Sequence, residues 1–162
     1  MIRVLGSADL DGFTELRRAA VTDHPGEFGT GGEDWSSASR EKIAHLLATA
    51  TLILGAFEGQ QLVGMAGLLR EPKQHTRHKA AVWGLYVDPA SRRRGHARAL
   101  VTGLVEHART IDVEILRAVT STENAATIGL LGSLGFEEFG VEPRARKVDG
   151  HYLDQVMFRR EL

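Results

Sequence analysis

Residues 80–87, Ala80-Ala81-Val82-Trp83-Gly84-Leu85-Tyr86-Val87, run into Asp88-Pro89 and then into Ser91-Arg92-Arg93-Arg94-Gly95-His96-Ala97-Arg98. The first stretch is apolar without alternation, which predicts a strand covered on both faces and therefore central in its sheet. Beyond the turn, Ala97, Leu100, Val101, Leu104, Val105 and Ala108 recur at i, i+3, i+4, i+7, i+8 and i+11, the strongest helical stripe in the chain. A strand thus passes through a glycine-bearing turn into a long helix. The start of a helix offers unpaired backbone N–H groups and about half a positive charge. Gly95 lets a ligand approach the backbone closely, and small Ala97 keeps the mouth open. This arrangement suits an anion, most naturally a phosphate or pyrophosphate. The competing reading is a solvated, basic helix start. Arginine content does not decide between them, because arginines outnumber lysines sixteen to four. Neither G-x-x-x-x-G-K-[ST] nor G-x-G-x-x-G after a strand occurs.

Working outward, Ile2 to Leu5 reads as a first strand, and Ser7 is the expected cap of a helix reaching about Thr22, with Asp9 and Asp11 near its positive end. Asp23-His24-Pro25-Gly26 to Gly31-Gly32 is irregular. Ser36, Ser37 or Ser39 can cap a second helix carrying Ile43, Leu46, Leu47 and Ala50. Thr51–Phe57 and Leu62–Leu69 flank Glu58-Gly59-Gln60-Gln61 as a hairpin. After the long helix, Val113–Thr120 is a strand. Asn124 caps a helix to about Leu134, stopped by Gly135. Asp149-Gly150 is a type I′ signal between two final strands. The expected fold is α/β (α+β): a mixed sheet of about seven strands with helices on its faces, not a doubly wound repeat. By strand parity, Trp83 and Tyr86 fall on opposite faces.

At 162 residues one domain, 1–162, is expected. Hydrophobic residues make up 43% and charged residues 25%, an ordinary globular balance that argues against disorder. Without cysteine there is neither a disulfide nor a thiolate metal site. The net charge of −1 and 6% aromatics disfavour a nucleic-acid partner. The uncharged stretches Leu46–Phe57 and Ala125–Phe136 are shorter than the roughly 18 residues of a membrane span. The N-terminus is unlike a signal peptide, so a cytoplasmic location is expected. His75 and His78 sit among Lys73, Arg77 and Lys79 with no carboxylate spaced to join them, and no metal is expected.

Leu85-Tyr86-Val87-Asp88-Pro89 followed by Arg92-x-x-Gly95-x-Ala97 resembles the R/Q-x-x-G-x-G/A signature of the GCN5-related N-acetyltransferases (GNAT). Gly55-Ala56-Phe57 to Leu62-Val63-Gly64 is similar to the family's second hairpin. Asn124 followed by Leu134-Gly135-Phe136 resembles its N-x(9)-L-G-F helix, and Lys147-Val148-Asp149-Gly150-His151-Tyr152 its last hairpin. The resemblance covers essentially the whole chain. It implies a mostly antiparallel sheet whose strand ending at Val87 splays from the one near Val119, with acetyl-coenzyme A wedged between as co-substrate. It implies that backbone groups of Leu85 and Val87 pair with the pantetheine arm and that the Val87 amide faces the thioester oxygen. Amides from Arg93 to Arg98 (Arg93, Arg94, Gly95, His96, Ala97, Arg98) would cradle the pyrophosphate, with Arg92 or Arg98 near the outer phosphates. Asn124 would touch the pantetheine or only cap its helix.

The implied reaction is N-acetylation of a primary amine on a small molecule or protein. An amine of pKa near 10.4 is only about one part in a thousand neutral at pH 7.4, a cost of about 4 kcal/mol unless a base or desolvation helps. A thiol of pKa near 8.5 leaves more easily. Candidate bases lie in the Asp23–Trp35 region: Glu27, Glu33 and Asp34, with His24 assigned rather to the turn. The family's usual tyrosine acid, seven residues after the asparagine, is Leu131 here. Water, Ser133 or Tyr86 are the substitutes. A non-catalytic acyl-coenzyme A sensor is the alternative that Leu131 favours. A homodimer through an exposed sheet edge stays open.

Overall fold

The computed structural model describes residues 1–28 and 40–162. Seven strands form one sheet: β1 (Ile2–Val4), β2 (Leu52–Glu58), β3 (Gln61–Arg70), β4 (Lys79–Val87), β5 (Ile115–Ser121), β6 (Glu137–Val148) and β7 (His151–Glu161). Their spatial order is β1-β2-β3-β4-β5-β7-β6, which puts β4 in the centre, as its unbroken apolar run requires. Every neighbouring pair is antiparallel except β4 and β5. Helices α1 (Leu10–Asp23), α2 (Pro25–Phe28) and α3 (Arg40–Thr49) accompany one face; α4 (His96–Thr110) and α5 (Ala125–Ser133) accompany the other.

Two cores result. One joins the buried stripe of α4, Leu100, Val101, Leu104, Val105 and Ala108, to inward residues of β2 to β5 and β7. The other packs Phe13, Leu16 and Ala20 of α1 and Ile43 of α3 against Ile53, Met65 and Tyr86. Strand termini follow local chemistry. The β2–β3 turn places Gly59 at φ +59°, and the last hairpin turns through Asp149 and Gly150 at φ +48° and +83°, both central residues in the left-handed region as a type I′ turn demands.

Three local expectations are corrected. Ser7 does not cap the first helix: it opens a 3₁₀ turn, Ser7–Asp9, and the Asp9 carboxylate accepts from the Gly6 amide and from Arg3. β5 begins at Ile115, two residues later than Val113. Trp83 and Tyr86 share a face rather than opposing each other. Opposite Met65 and Gly67 the β4 partners are Tyr86 and Trp83, so β4 carries one extra residue there. Gly84, at φ +64°, absorbs it as a β-bulge, and the bulge reverses parity. The proposed serine caps of α3 lie outside the described residues.

Candidate active site

β4 and β5 pair over only three rungs, Lys79↔Ile115, Ala80↔Leu116 and Ala81↔Arg117, and then part. A cleft of about 780 Å³ opens between their C-terminal ends, within the range of ligand sites. Its walls are β4 from Val82 to Val87, β5 from Ala118 to Ser121, the 91–98 turn, the start of α5, and α2. The Asp88 amide donates to the Val63 carbonyl at 2.8 Å. Alternation along an antiparallel strand then turns the N–H and C=O of Val87 away from β3, toward the gap.

The loop that opens α4 meets the electrostatic requirement for an anion. Among the described residues, no protein group accepts a hydrogen bond from the amides of residues 93–98; the first engaged amide is that of Ala99, donating to the Gly95 carbonyl at 3.0 Å. Gly95 has φ +83°, and a Cβ placed on it meets nothing within 4 Å. Arg93 also takes a positive φ, +61°.

Side chains of the loop diverge. Arg94 and His96 both pair with Glu58 at 2.8 Å, tying the loop to the β2–β3 turn. The His96 hydrogen bond and the Arg94 charge hold the Glu58 carboxyl below its usual range. Arg94 does not line the cleft, whereas Arg92, Arg93, Gly95, His96, Ala97 and Arg98 do. Arg98 donates to Ser133 Oγ at 2.8 Å. Arg92 turns the other way: its Nε donates to the Val87 carbonyl at 3.0 Å, and Nη2 lies 3.2 Å from His24 Nε2. A guanidinium cannot accept, so that imidazole nitrogen is the acceptor. Of the two arginines expected near the outer phosphates, Arg92 is engaged by the Val87 carbonyl and His24, and Arg98 by Ser133. The hydrogen bonds of Arg92 hold it at the end of β4.

The substitute acids fare differently. Ser133 is exposed, donates to the Leu130 carbonyl at 2.7 Å and does not line the cleft. Tyr86 lines the cleft, but its hydroxyl donates to Asp23 at 2.7 Å. Burial and that hydrogen bond push the Tyr86 phenol up to about 12. Leu131 is only 2% exposed and belongs to the α4-side core. Glu33 and Asp34 lie outside the described residues.

Glu27 reaches across from α2. Its carboxylate accepts from the Ser121 amide and the Thr120 hydroxyl, each at 3.0 Å. Asn124 caps α5 by accepting from the Thr127 amide at 3.1 Å, and its Nδ2 donates to Thr120 Oγ1 at 3.1 Å. Asn124, Thr120 and Glu27 therefore form one chain of hydrogen bonds along the β5 lip.

The acetyltransferase (GNAT) family model matches residues 13–136. This chain belongs to the GNAT family. It is 30% identical to the N-alpha-acetyltransferase RimI of Mycobacterium tuberculosis over 135 residues, covering 81% of this chain and 78% of that protein. An uncharacterized Mycobacterium leprae protein is also 30% identical over 99% of this chain, and the chain spans only 40% of that relative's length. The crystal structure of a ribosomal-protein-alanine N-acetyltransferase from Brucella melitensis superposes with a TM-score of 0.85 at 28% identity, covering 100% of this chain and 99% of that one. The seven-stranded GNAT sheet with its splayed fourth and fifth strands is thus the frame of the cleft.

Within this GNAT chain, three features of the site escaped the sequence reading. A glycine inside an apolar strand is a bulge signal, and Gly84 carried it. Nothing local pointed to Thr120 and Ser121 as the anchor of Glu27, because that contact spans more than ninety residues. The inward turn of Arg92 depends on His24, equally remote in sequence.

Proposed function

We propose that this chain transfers the acetyl group of acetyl-coenzyme A to a primary amine, by direct attack within a ternary complex. The observation that carries the reading is the run of unengaged amides from residue 93 to residue 98, set where the sheet parts. These groups fit a diphosphate: convergent N–H donors, a left-handed glycine with free space beside it, and arginines at its rim. Acetyl-coenzyme A, the co-substrate of the family, supplies an activated thioester. The chain binds and orients it. Amides of the turn hold the diphosphate, and the gap-facing backbone of Val87, with that of Leu85, extends β4 toward the pantetheine.

Glu27 receives the amine in this reading. Its two oxygens offer about four acceptor positions, of which the Ser121 and Thr120 contacts leave room for a cationic donor. The same carboxylate can take the proton, lowering the deprotonation cost. Tyr86 does not replace the missing acid in this reading, because its hydroxyl proton is directed to Asp23 at 2.7 Å. The thiolate departs without one, as its own pKa allows.

Residues 1–162 act as one domain in this reading, in the cytoplasm. Among the described residues no helix is long and apolar enough to cross a membrane. Self-association through the edge strands β1 and β6, where Val4, Phe139 and Val141 are exposed, belongs to the same reading. Calorimetry with acetyl-coenzyme A, followed by thiol release over a panel of amines, tests the whole. Glu27→Gln should retain cofactor affinity and lose about 10²–10⁴ in turnover. Micromolar binding with no thiol released from any amine favours the sensor reading, for which the buried Leu131 at the acid position speaks.

A further inference from the structure

The two lips of the cleft carry opposite charges that form no ion pair among the described residues. On the β5 lip, Glu27 is fixed by Ser121 and Thr120 and has no cationic partner among the described residues. On the β4 lip, Arg92 is fixed by the Val87 carbonyl and His24, with its guanidinium 5.8 Å from the Tyr86 ring centroid. It has no carboxylate partner among the described residues. Both line the cleft. Each is held by its own strand, so the pair does not neutralise itself. One turn of α2 joins them: the amide of Glu27 donates to the carbonyl of His24 at 3.0 Å.

A ligand that satisfies both lips must bring an ammonium to Glu27 and an anion to Arg92, within one cleft. We infer that the acyl acceptor is a free α-amino acid or a close zwitterionic analogue, with its amine at Glu27 and its carboxylate at the Arg92 guanidinium. The inference rests on the acetyltransferase reading and narrows its substrate class. A peptide N-terminus brings the amine but no neighbouring carboxylate, leaving Arg92 unmatched. A polyamine brings a second positive charge toward Arg92. The planar fork of arginine suits a carboxylate in a bidentate contact, which adds specificity to charge.

Thiol release with acetyl-coenzyme A should be measured for the L-amino acids, for the same amino acids as carboxamides, and for short peptides beginning with the same residues. The expected result is a preference of at least about tenfold in kcat/KM for the best free acid over its amide and peptide, the discrimination one charge-assisted contact supplies. Arg92→Gln should raise the acceptor KM more than it lowers kcat and bring the acid-to-amide ratio close to one. Arg92→Lys should restore part of the preference. Calorimetry on both variants gives the cofactor affinity separately. Equal use of amide or peptide, or no turnover of any free amino acid by protein that binds acetyl-coenzyme A, overturns the inference. So does an Arg92→Gln protein that loses cofactor affinity while keeping the acid-to-amide ratio, since Arg92 then serves the cofactor. Wild-type protein that fails to bind acetyl-coenzyme A sinks the acetyltransferase reading instead.

Discussion

Gly95 separates folding from binding because a Cβ there meets no protein atom while φ is +83°. Gly95→Ala should cost about 1–2 kcal/mol of stability for the left-handed conformation alone. Gly95→Asp should cost no more stability than that in chemical denaturation yet abolish acetyl-coenzyme A binding in calorimetry, through carboxylate repulsion of the diphosphate. Retained affinity in a folded Gly95→Asp protein would refute the placement of the diphosphate. Tyr86 has a pH signature. Its phenol titrates near 10 when unfolded and at about 12 in the fold. Over that interval the native state holds the proton that the unfolded chain releases, so stability falls as pH rises from about 10 toward about 12. Tyr86→Phe should remove this part of the alkaline decline in urea midpoints measured at pH 9 and pH 11. Leu131 shows the limit of reading a residue by its place in a motif. Its spacing from Asn124 is plain in the sequence, but its burial against the α4 core is not.

Among the elements, the long helix and the final turn were legible because their signals are local and dense. Five of the six stripe positions form the buried face of α4, and Asp149-Gly150 needs only its own two dihedrals. The strand that decides the fold was legible in extent, though not in its internal register. Parity holds only while every residue has one partner, and Gly84 breaks that rule. Its bulge puts Trp83 and Tyr86 on the α1 side and lets Leu85 and Val87 pack against the α4 core. Gly84→Ala tests the element. A Cβ there lies 3.7 Å from Arg17 Nη1, an ordinary contact, so the cost is conformational, about 1–2 kcal/mol in chemical denaturation. If the alanine instead straightens the strand, Val87 turns away from the gap, and acetyl-coenzyme A affinity falls by more than the stability loss explains.

On the scale of the whole molecule, the sequence disclosed the loop at the head of α4 and the order of elements except α2, whose residues Pro25–Phe28 read as irregular but form a helical turn. The arrangement of charged side chains around the cleft was not disclosed, because each is set by a partner far along the chain. Arg92 finds His24, Glu27 finds Ser121, and Arg94 and His96 find Glu58, and in none of these pairs are the two residues near in sequence. The three-rung seam between β4 and β5 has a further consequence. It leaves a row of central-strand amides with no ladder to protect them, in the middle of a sheet whose other members are shielded. Deuterium should therefore enter Val87 about as fast as a surface loop, while Met65 and Ala118 resist for far longer. A molecule that slides into the seam and completes the ladder would slow exchange at Val87 selectively. This site would then report occupancy without any need for turnover.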